Sequence, residues 1–295
     1  MSDQPTWLAG YREQGFAHLP AVIDAEEVDE LSRECTRLSE LPGLLDPDNL
    51  RTRVTAAGAQ TVERTVDRID PVTDLSPVMA QLAEDARITA PVAAAVGAPV
   101  VLFKDKLILK PPGADGYAMH QDAAYWAGRL PPPGSLAAML AIDASGPENG
   151  ALELVPGAHH RLLTPEGEPA DLDPADLPET VTISLDPGDL VVFSLLTPHR
   201  SGSNSSTTSR RALFFTYFPA AAGEDRAAYY ETAQRRLIAQ LPLTVVPGPC
   251  SAEGRSLRSR RAARACRCSA DCGSARCSRG RSRRRTSWGC RTRRR

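Results

Sequence analysis

The stretch DLVVFSLLTPHRSGSNSSTTSRRALFFTYF, residues 189–218, holds two runs of apolar, β-branched and aromatic residues separated by a polar segment of Ser, Thr, Gly and Asn. Asp186-Pro187-Gly188-Asp189 reads as a tight turn before it. The first run reads as a strand that ends at His199, and RRALFFTYF reads as the next strand, begun at Arg210. Working outward, VVLFKDKLILK, SLAAMLAIDAS, GALELVPG and TVTISL are similar short runs bounded by turn residues. Many short strands following a helical beginning predict a mainly β fold with α-helices flanking a sandwich or barrel. A double-stranded β-helix, the jelly roll of cupin-like proteins, would bring a late strand such as 189–199 back beside an early one.

The helical beginning has its own signals. Asp24 with Glu27 makes a capping-box pattern, and Val28, Leu31, Cys35 and Leu38 then fall on one face, so 24–40 is predicted as a helix. GFAHLPAVI before it reads as a short strand, with His18 a packed or surface histidine and not a ligand. A second helical region runs from Ser76 through Ala95 with a break near Pro91, and a last helix spans 223–240. No internal repeat or linker divides residues 1–245. The expected organisation is one domain over 1–249, with a helical N-terminal region over 1–98, a jelly-roll core over 99–220 and the C-terminal helix 223–240.

Charge and cysteine separate the rest from this body. Of 35 basic and 36 acidic residues, sixteen Arg and two acids fall in residues 251–295, leaving 19 and 34 in residues 1–250. Cys35 stands alone, whereas Cys250, Cys266, Cys268, Cys272, Cys277 and Cys290 cluster at the end. The tail 250–295 has too few apolar residues to offset its ordering entropy and is expected to be disordered. Its cysteines lack paired CxxC knuckles and it has no His, which argues against zinc. The acidic body and the lack of interleaved aromatics argue against a nucleic-acid arm. Arg, Ser, Cys, Gly and Ala in these proportions are what a GC-rich gene gives when read out of frame, so a frameshift product is the other expectation. The first residues lack a basic-then-apolar leader, and the longest apolar run, 88–103, is interrupted by Pro91, Gly97 and Pro99. A cytoplasmic protein with no membrane partner is expected.

MHQDAAYW, residues 119–126, places His120 two residues from Asp122. On one strand, side chains at i and i+2 share a face about 6–7 Å apart, close enough to chelate one ion. The pair alone is a weak signal. His199 supplies a third ligand, and two histidines with one carboxylate form the facial triad of non-haem Fe(II) oxygenases, which leaves open positions for oxygen chemistry. A two-oxo acid cosubstrate also needs a cation for its distal carboxylate, for which Arg gives a planar bidentate match. Arg210 or Arg211 can serve; neighbours on a strand face opposite ways, and period two alone leaves the choice open.

The joint arrangement of His120-x-Asp122, His199-Arg200-Ser201-Gly202-Ser203-Asn204 and Arg210 resembles the phytanoyl-CoA dioxygenase family of Fe(II)/2-oxoglutarate-dependent oxygenases. LKPPGADGYAMHQDAAYW, ENGALELVPGAHH and the opening YREQGFAHLPAVIDAEEVDEL carry the same resemblance, which covers about residues 8–220. It implies His120, Asp122 and His199 as iron ligands, Arg210 rather than Arg211 on the distal carboxylate of 2-oxoglutarate, Ser201 assisting it, and Lys110 as a further cosubstrate-binding residue. It also implies Fe(II), 2-oxoglutarate and O2 as the cofactor set, with succinate and CO2 released. Asp122 favours hydroxylation over halogenation, because halogenating relatives carry a small residue there. The expected activity is hydroxylation of an unactivated C–H of a small-molecule metabolite. The alternatives are epimerisation, cyclisation or desaturation by the same oxidant, or a non-catalytic jelly-roll binding protein. The high-GC bacterial style of the sequence suggests secondary-metabolite (antibiotic) biosynthesis. Tyr117, Tyr125 and Trp126 are candidates to line a substrate pocket or to be ordinary packing residues, and His159 and His160 are expected in a surface loop.

Overall fold

Period-two alternation decides the layering of this fold, described for residues 5–45, 49, 51–56, 64–125, 131–164 and 171–232 in a computed structural model. The helices are α1 Thr6–Gln14, α2 Ala25–Ser39, α3 Pro77–Glu84 and α4 Ala86–Val96. The strands are β1 Phe16–Leu19, β2 Thr52–Ala56, β3 Arg64–Ile69, β4 Val100–Ile108, β5 Tyr117–His120, β6 Leu136–Ala141, β7 Leu152–Leu154, β8 Val181–Ile183, β9 Leu190–Ser194, β10 His199–Ser201 and β11 Ala212–Pro219. Seven of them form one sheet in the order β1-β9-β6-β11-β4-β3-β2, and four form a second in the order β5-β10-β7-β8. All strand pairs are antiparallel.

β6 is buried at every residue because both of its faces are covered. Leu136, Ala138 and Leu140 pack in a cluster with Val28, Leu31, Leu38, Met79 and Ile88 of the helices. Ala137, Met139 and Ala141 point the other way, against Leu152, Leu154 and Ile183 of the smaller sheet. β9 divides likewise, with Leu190 and Val192 toward the helices and Val191 and Phe193 into the roll. Strands covered on both sides lose the apolar–polar alternation of half-exposed strands. The architecture is the expected jelly roll, with helices on the outer face of its larger sheet.

α2 begins as its sequence dictates. The Asp24 carboxylate accepts from the Glu27 backbone N–H at 3.0 Å, and Glu27 accepts from the Asp24 N–H at 3.1 Å. Asp24→Ala, which leaves those end groups to water, is expected to lower unfolding free energy by about 1 kcal/mol in a denaturant titration. α1, absent from the sequence reading, ends where Gly15 takes φ 84° and donates to the Tyr11 carbonyl. A Cβ there would lie 2.5 Å from the His159 ring, so that histidine packs against the helix end.

The structure corrects several expectations. Residues 1–98 are not helical throughout, since β2 and β3 lie among them and extend the larger sheet past β4. The break in the second helical region falls at Asp85 and not at Pro91. Asp85 is extended (φ −62°, ψ 136°) and its carboxylate accepts from the Arg87 N–H to start α4. Pro91 removes one ladder bond inside α4, but the fully buried Ile88 and Val92 hold that helix against the core. His199 does not end the strand that precedes it. β9 stops at Ser194, and a turn through Pro198 carries the chain to the smaller sheet, where His199 opens β10. Arg210 precedes its strand rather than lying in it.

Of the C-terminal helix expected at 223–240, residues 226–232 are helical. They are tied to the larger sheet by Arg226, which donates to the buried Asp105 carboxylate, and by the Tyr230 hydroxyl, 3.2 Å from Asp70. The remainder of that helix, Trp126 and the Arg/Cys-rich tail lie outside the described residues. Among the described residues no helix is long and apolar enough to cross a membrane.

Candidate metal and cosubstrate site

β5 and β10 lie side by side with His120 opposite His199 in the register, which brings two residues distant in sequence to adjacent points inside the roll. Asp122 reaches the same point by a different route from the one the spacing implied. β5 ends at His120, and Asp122 opens a 3-10 turn, Asp122–Tyr125, so the pair converges through a bend and not along one strand face. Gln121, fully buried between them, holds that bend: its Nε2 donates to the Arg161 and Leu196 carbonyls at 2.9 and 2.5 Å, and its Oε1 accepts from Leu163 N–H at 2.7 Å. Ala123 N–H also donates to the Leu195 carbonyl at 2.9 Å, fastening the turn to the segment that leads into His199.

His120 Nε2 lies 3.7 Å from Asp122 Oδ1, and His199 Nε2 lies 4.0 Å from Asp122 Oδ2. One ligand atom from each of the three residues falls within 4.8 Å of the others. The Nδ1 atoms are 2.7 Å from the Ala118 carbonyl and 2.9 Å from the Thr197 carbonyl. A carbonyl can only accept, so each Nδ1 carries the proton and each Nε2 presents a lone pair inward. Two neutral imidazoles and a carboxylate, each oriented by a carbonyl or a pinned turn, fit a divalent cation.

The electrostatics agree. Burial pushes the His199 imidazole down to about 4, with the His120 ring acting in the same direction. Burial alone would raise the Asp122 carboxyl, but the Lys106 ammonium and the two imidazoles outweigh it and hold the group well below the usual carboxylate range. A histidine titrating near 6.5 in the unfolded chain and about 4 in the folded one makes the unfolded state the better proton acceptor between those values. The metal-free protein is therefore expected to lose up to about 3 kcal/mol of stability as pH falls from 6.5 to 4. Denaturant midpoints in the presence of a chelator test this. Asp122, depressed from an ordinary value near 4, adds its own loss only below that window.

His120 and His199 border a pocket of about 420 Å³, open to solvent on one side, which Tyr117, Ser201, Arg210, Lys106 and Phe214 also line. Arg210 is 3% exposed, its Nε has no hydrogen-bond partner among the described residues, and no described carboxylate pairs with it. Burial pushes its guanidinium down to about 10, so it stays charged at neutral pH. An unpaired buried cation inside a pocket fits an anionic ligand. Arg211 turns the other way, donating to Asp143 at 2.6 and 2.8 Å and to Ser32 Oγ of α2 at 2.9 Å. Of the two adjacent arginines, Arg210 faces the pocket and Arg211 faces Asp143 and α2.

Lys110 is not among the residues that line the pocket. Its ammonium donates to Ser201 Oγ at 2.8 Å, to the Gly150 carbonyl at 3.4 Å and to the Gly202 carbonyl. Because Ser201 Oγ accepts from Lys110, its own hydroxyl hydrogen is left to donate into the pocket. Gly150 (φ 76°) permits this packing, since a Cβ there would stand 2.3 Å from the Gly202 carbonyl oxygen and 2.7 Å from Lys110 Nζ. Asn204, fully buried, donates to the Lys110 and Thr208 carbonyls and so sets the loop that leads to Arg210.

Tyr117 lines the pocket, and Tyr125 is 51% exposed with its ring edge-on to His120 at 5.5 Å. His18 is 2.7 Å from Asp189, and the rings of His159 and His160 meet at a tilt of 40° with their centroids 4.3 Å apart, neither residue lining the pocket. The sequence reading missed two residues of the site, Gln121 and Lys106. Gln121 carried no signal beyond lying between two ligands. Lys106 did: it shares a face with Ile108 on a strand whose neighbours cover both sides, where a charge calls for a partner.

The chain is similar to several known proteins. Residues 11–212 match the phytanoyl-CoA dioxygenase (PhyH) family. Methylphosphonate hydroxylase of Gimesia maris is 30% identical over 240 residues, which cover 80% of this chain and 88% of that protein. The solved structure of EctD from S. alaskensis with 2-oxoglutarate and 5-hydroxyectoine is 25% identical with a TM-score of 0.65, covering 75% of this chain and 79% of that one. SnoN, a non-haem α-ketoglutarate-dependent epimerase from nogalamycin biosynthesis, is 29% identical with a TM-score of 0.59, covering 72% and 82%.

Proposed function

The chain belongs to the phytanoyl-CoA dioxygenase family of Fe(II)/2-oxoglutarate-dependent enzymes, and from that premise we propose that it hydroxylates an unactivated C–H of a small-molecule metabolite. Its cofactors are Fe(II), 2-oxoglutarate and O2. The observation that carries the reading is the convergence of His120, Asp122 and His199 at a pocket lined by both histidines and by a buried Arg210 that pairs with no carboxylate among the described residues.

When bound, the iron with its cosubstrate supplies the oxidation: O2 is divided between succinate, formed with loss of CO2, and the hydroxyl group of the product. The protein's own contribution is orientation and charge. Carbonyls at Ala118 and Thr197 accept from the two Nδ1–H groups and so aim both Nε2 atoms inward. Arg210 takes the distal carboxylate of 2-oxoglutarate as a charge-assisted pair, and Ser201 donates to the same carboxylate while Lys110 holds its oxygen from behind. Tyr117 and Phe214 narrow the approach and exclude water from the reacting C–H.

The carboxylate at position 122 supports hydroxylation, because it fills the place a halide would need. The Gimesia maris relative bears the name of a hydroxylase, which supports the same outcome. The SnoN neighbour, an epimerase, comes from nogalamycin biosynthesis, so natural-product tailoring is a fitting context. Incubation with Fe(II), 2-oxoglutarate and 18O2 across a metabolite panel tests this. The expected result is one labelled oxygen in the product per succinate formed. Succinate coupled to a product without label would contradict hydroxylation and point to epimerisation, cyclisation or desaturation.

A further inference from the structure

Three lysines follow one another along β4 and its exit, and two of them are committed. Lys104 Nζ donates to Asp70 at 2.7 Å, and Lys110 is surrounded by Ser201 and two carbonyls. Lys106 is different. It is partly buried and lines the pocket, and its ammonium lies 5.0 Å from the centre of the Phe214 ring. Among the described residues it makes no hydrogen bond or ion pair. The carboxylate that acts on it most strongly is Asp122, which the proposed function gives to the metal.

Position separates Lys106 from the cosubstrate cation. Arg210 N–H donates to the Lys110 carbonyl, whereas Lys106 stands opposite Phe214, four residues further along β4. At about 3.3 Å per residue the two backbone positions are roughly 13 Å apart. Arg210 thus serves one end of the pocket and Lys106 the Asp122 end. A formal charge count gives the same division. A divalent cation, the Asp122 carboxylate, a 2-oxoglutarate dianion and Arg210 sum to zero, which leaves the charge of the partly buried Lys106 uncompensated. A partly buried ammonium without a counter-ion is costly unless a ligand supplies one.

We infer that Lys106 is a substrate-binding residue and that the substrate carries an anionic headgroup, a phosphonate, phosphate or carboxylate, seated on Lys106 beside the C–H to be oxidised. This rests on the proposed function, since it assumes that 2-oxoglutarate occupies the Arg210 end. The Phe214 ring, which lines the pocket with Lys106, offers an apolar wall for a short alkyl group beside the ammonium. Lysine also suits a headgroup that has only to be held as a point charge, in contrast to the planar fork that Arg210 presents to a carboxylate.

Anaerobic titration calorimetry with matched probe pairs tests the inference. Methylphosphonate is compared with its neutral dimethyl ester, and propionate with propionamide, on the protein with and without Fe(II) and 2-oxoglutarate. The expected result is at least tenfold tighter binding of an anionic probe than of its neutral partner. Lys106→Met should abolish that preference and Lys106→Arg should restore some of it, with 2-oxoglutarate affinity changed less than about twofold in both. Equal binding of the anionic and neutral probes, or no binding of either, would overturn the inference. So would a loss of 2-oxoglutarate affinity in Lys106→Met, which would assign the lysine to the cosubstrate. Failure of the parent reading looks different: the wild type would then bind no 2-oxoglutarate, whatever its preference among the probes. Lys106→Arg keeps the charge and most of the volume, so a folding defect confined to Lys106→Met would be recognised by its melting curve.

Discussion

His199→Ala is expected to lower Fe(II)-dependent succinate formation by at least about 100-fold, beyond the 10–100-fold typical of losing an outer hydrogen bond to a ligand. Three features of the structure make the effect large. His199 is the ligand that comes from the smaller sheet's second strand, and its removal leaves only His120 and Asp122, which flank a single bend. Its ring is oriented by the Thr197 carbonyl and lies against Phe193 at 5.0 Å, so no described side chain can swing in to replace it. Two ligands hold a divalent cation far more weakly than three, so metal content after desalting should fall together with activity. The folded state, by contrast, should suffer little. The variant removes a buried imidazole whose burial disfavours its charged form, so the stability lost between pH 6.5 and 4 in the metal-free wild type should shrink. Metal analysis and succinate chromatography on the same preparation, with denaturant midpoints at two pH values, give all three readouts.

The second large effect separates two adjacent arginines. Arg210→Met is expected to weaken 2-oxoglutarate binding by about 100-fold, the loss of a charge-assisted pair worth about 3 kcal/mol. In the absence of ligand the same variant should be as stable as the wild type or more so, because it replaces an unpaired buried guanidinium by an apolar chain of similar length. Arg211→Met should behave in the opposite way. It breaks the two-point contact with Asp143 and the bonds to Ser32 that join β11's entrance to α2. Stability should fall by about 1–2 kcal/mol while 2-oxoglutarate affinity stays within a factor of two. Equal behaviour of the two variants would be incompatible with the opposite orientations of the two side chains.

The fold was legible wherever one physical rule governed a segment. The runs that became β6, β9 and β11 are largely apolar because covered strands must be, and Asp24 with Glu27 started α2 because the capping geometry is local. Segments governed by their neighbours were not legible. β3 is a strand because β4 offers it an edge and β2 because β3 does, and the break at Asp85 wins over Pro91 because Ile88 and Val92 are fixed by packing. The triad residues could be named from type and spacing, yet the reason offered for His120 and Asp122 was a shared strand face, and the structure achieves the same approach with a 3-10 turn that Gln121 holds. The two arginines differ by contacts to Asp143 and Ser32 that no period-two argument contains. Lys106 was passed over because VVLFKDKLILK reads only as a strand, and the face that Lys106 shares with Ile108 is the lining of the pocket.

The central claim is that His120, Asp122 and His199 hold iron beside a 2-oxoglutarate site built on Arg210. Anaerobic addition of Fe(II) and then 2-oxoglutarate, followed in the visible spectrum, tests it most directly, because chelation of the metal by the two-oxo acid gives a weak charge-transfer band. The account predicts a band that saturates at one equivalent of iron in the wild type, is absent in His199→Ala, and in Arg210→Met appears only at about 100-fold higher 2-oxoglutarate. No band in the wild type, or an undiminished band in His199→Ala, would contradict it.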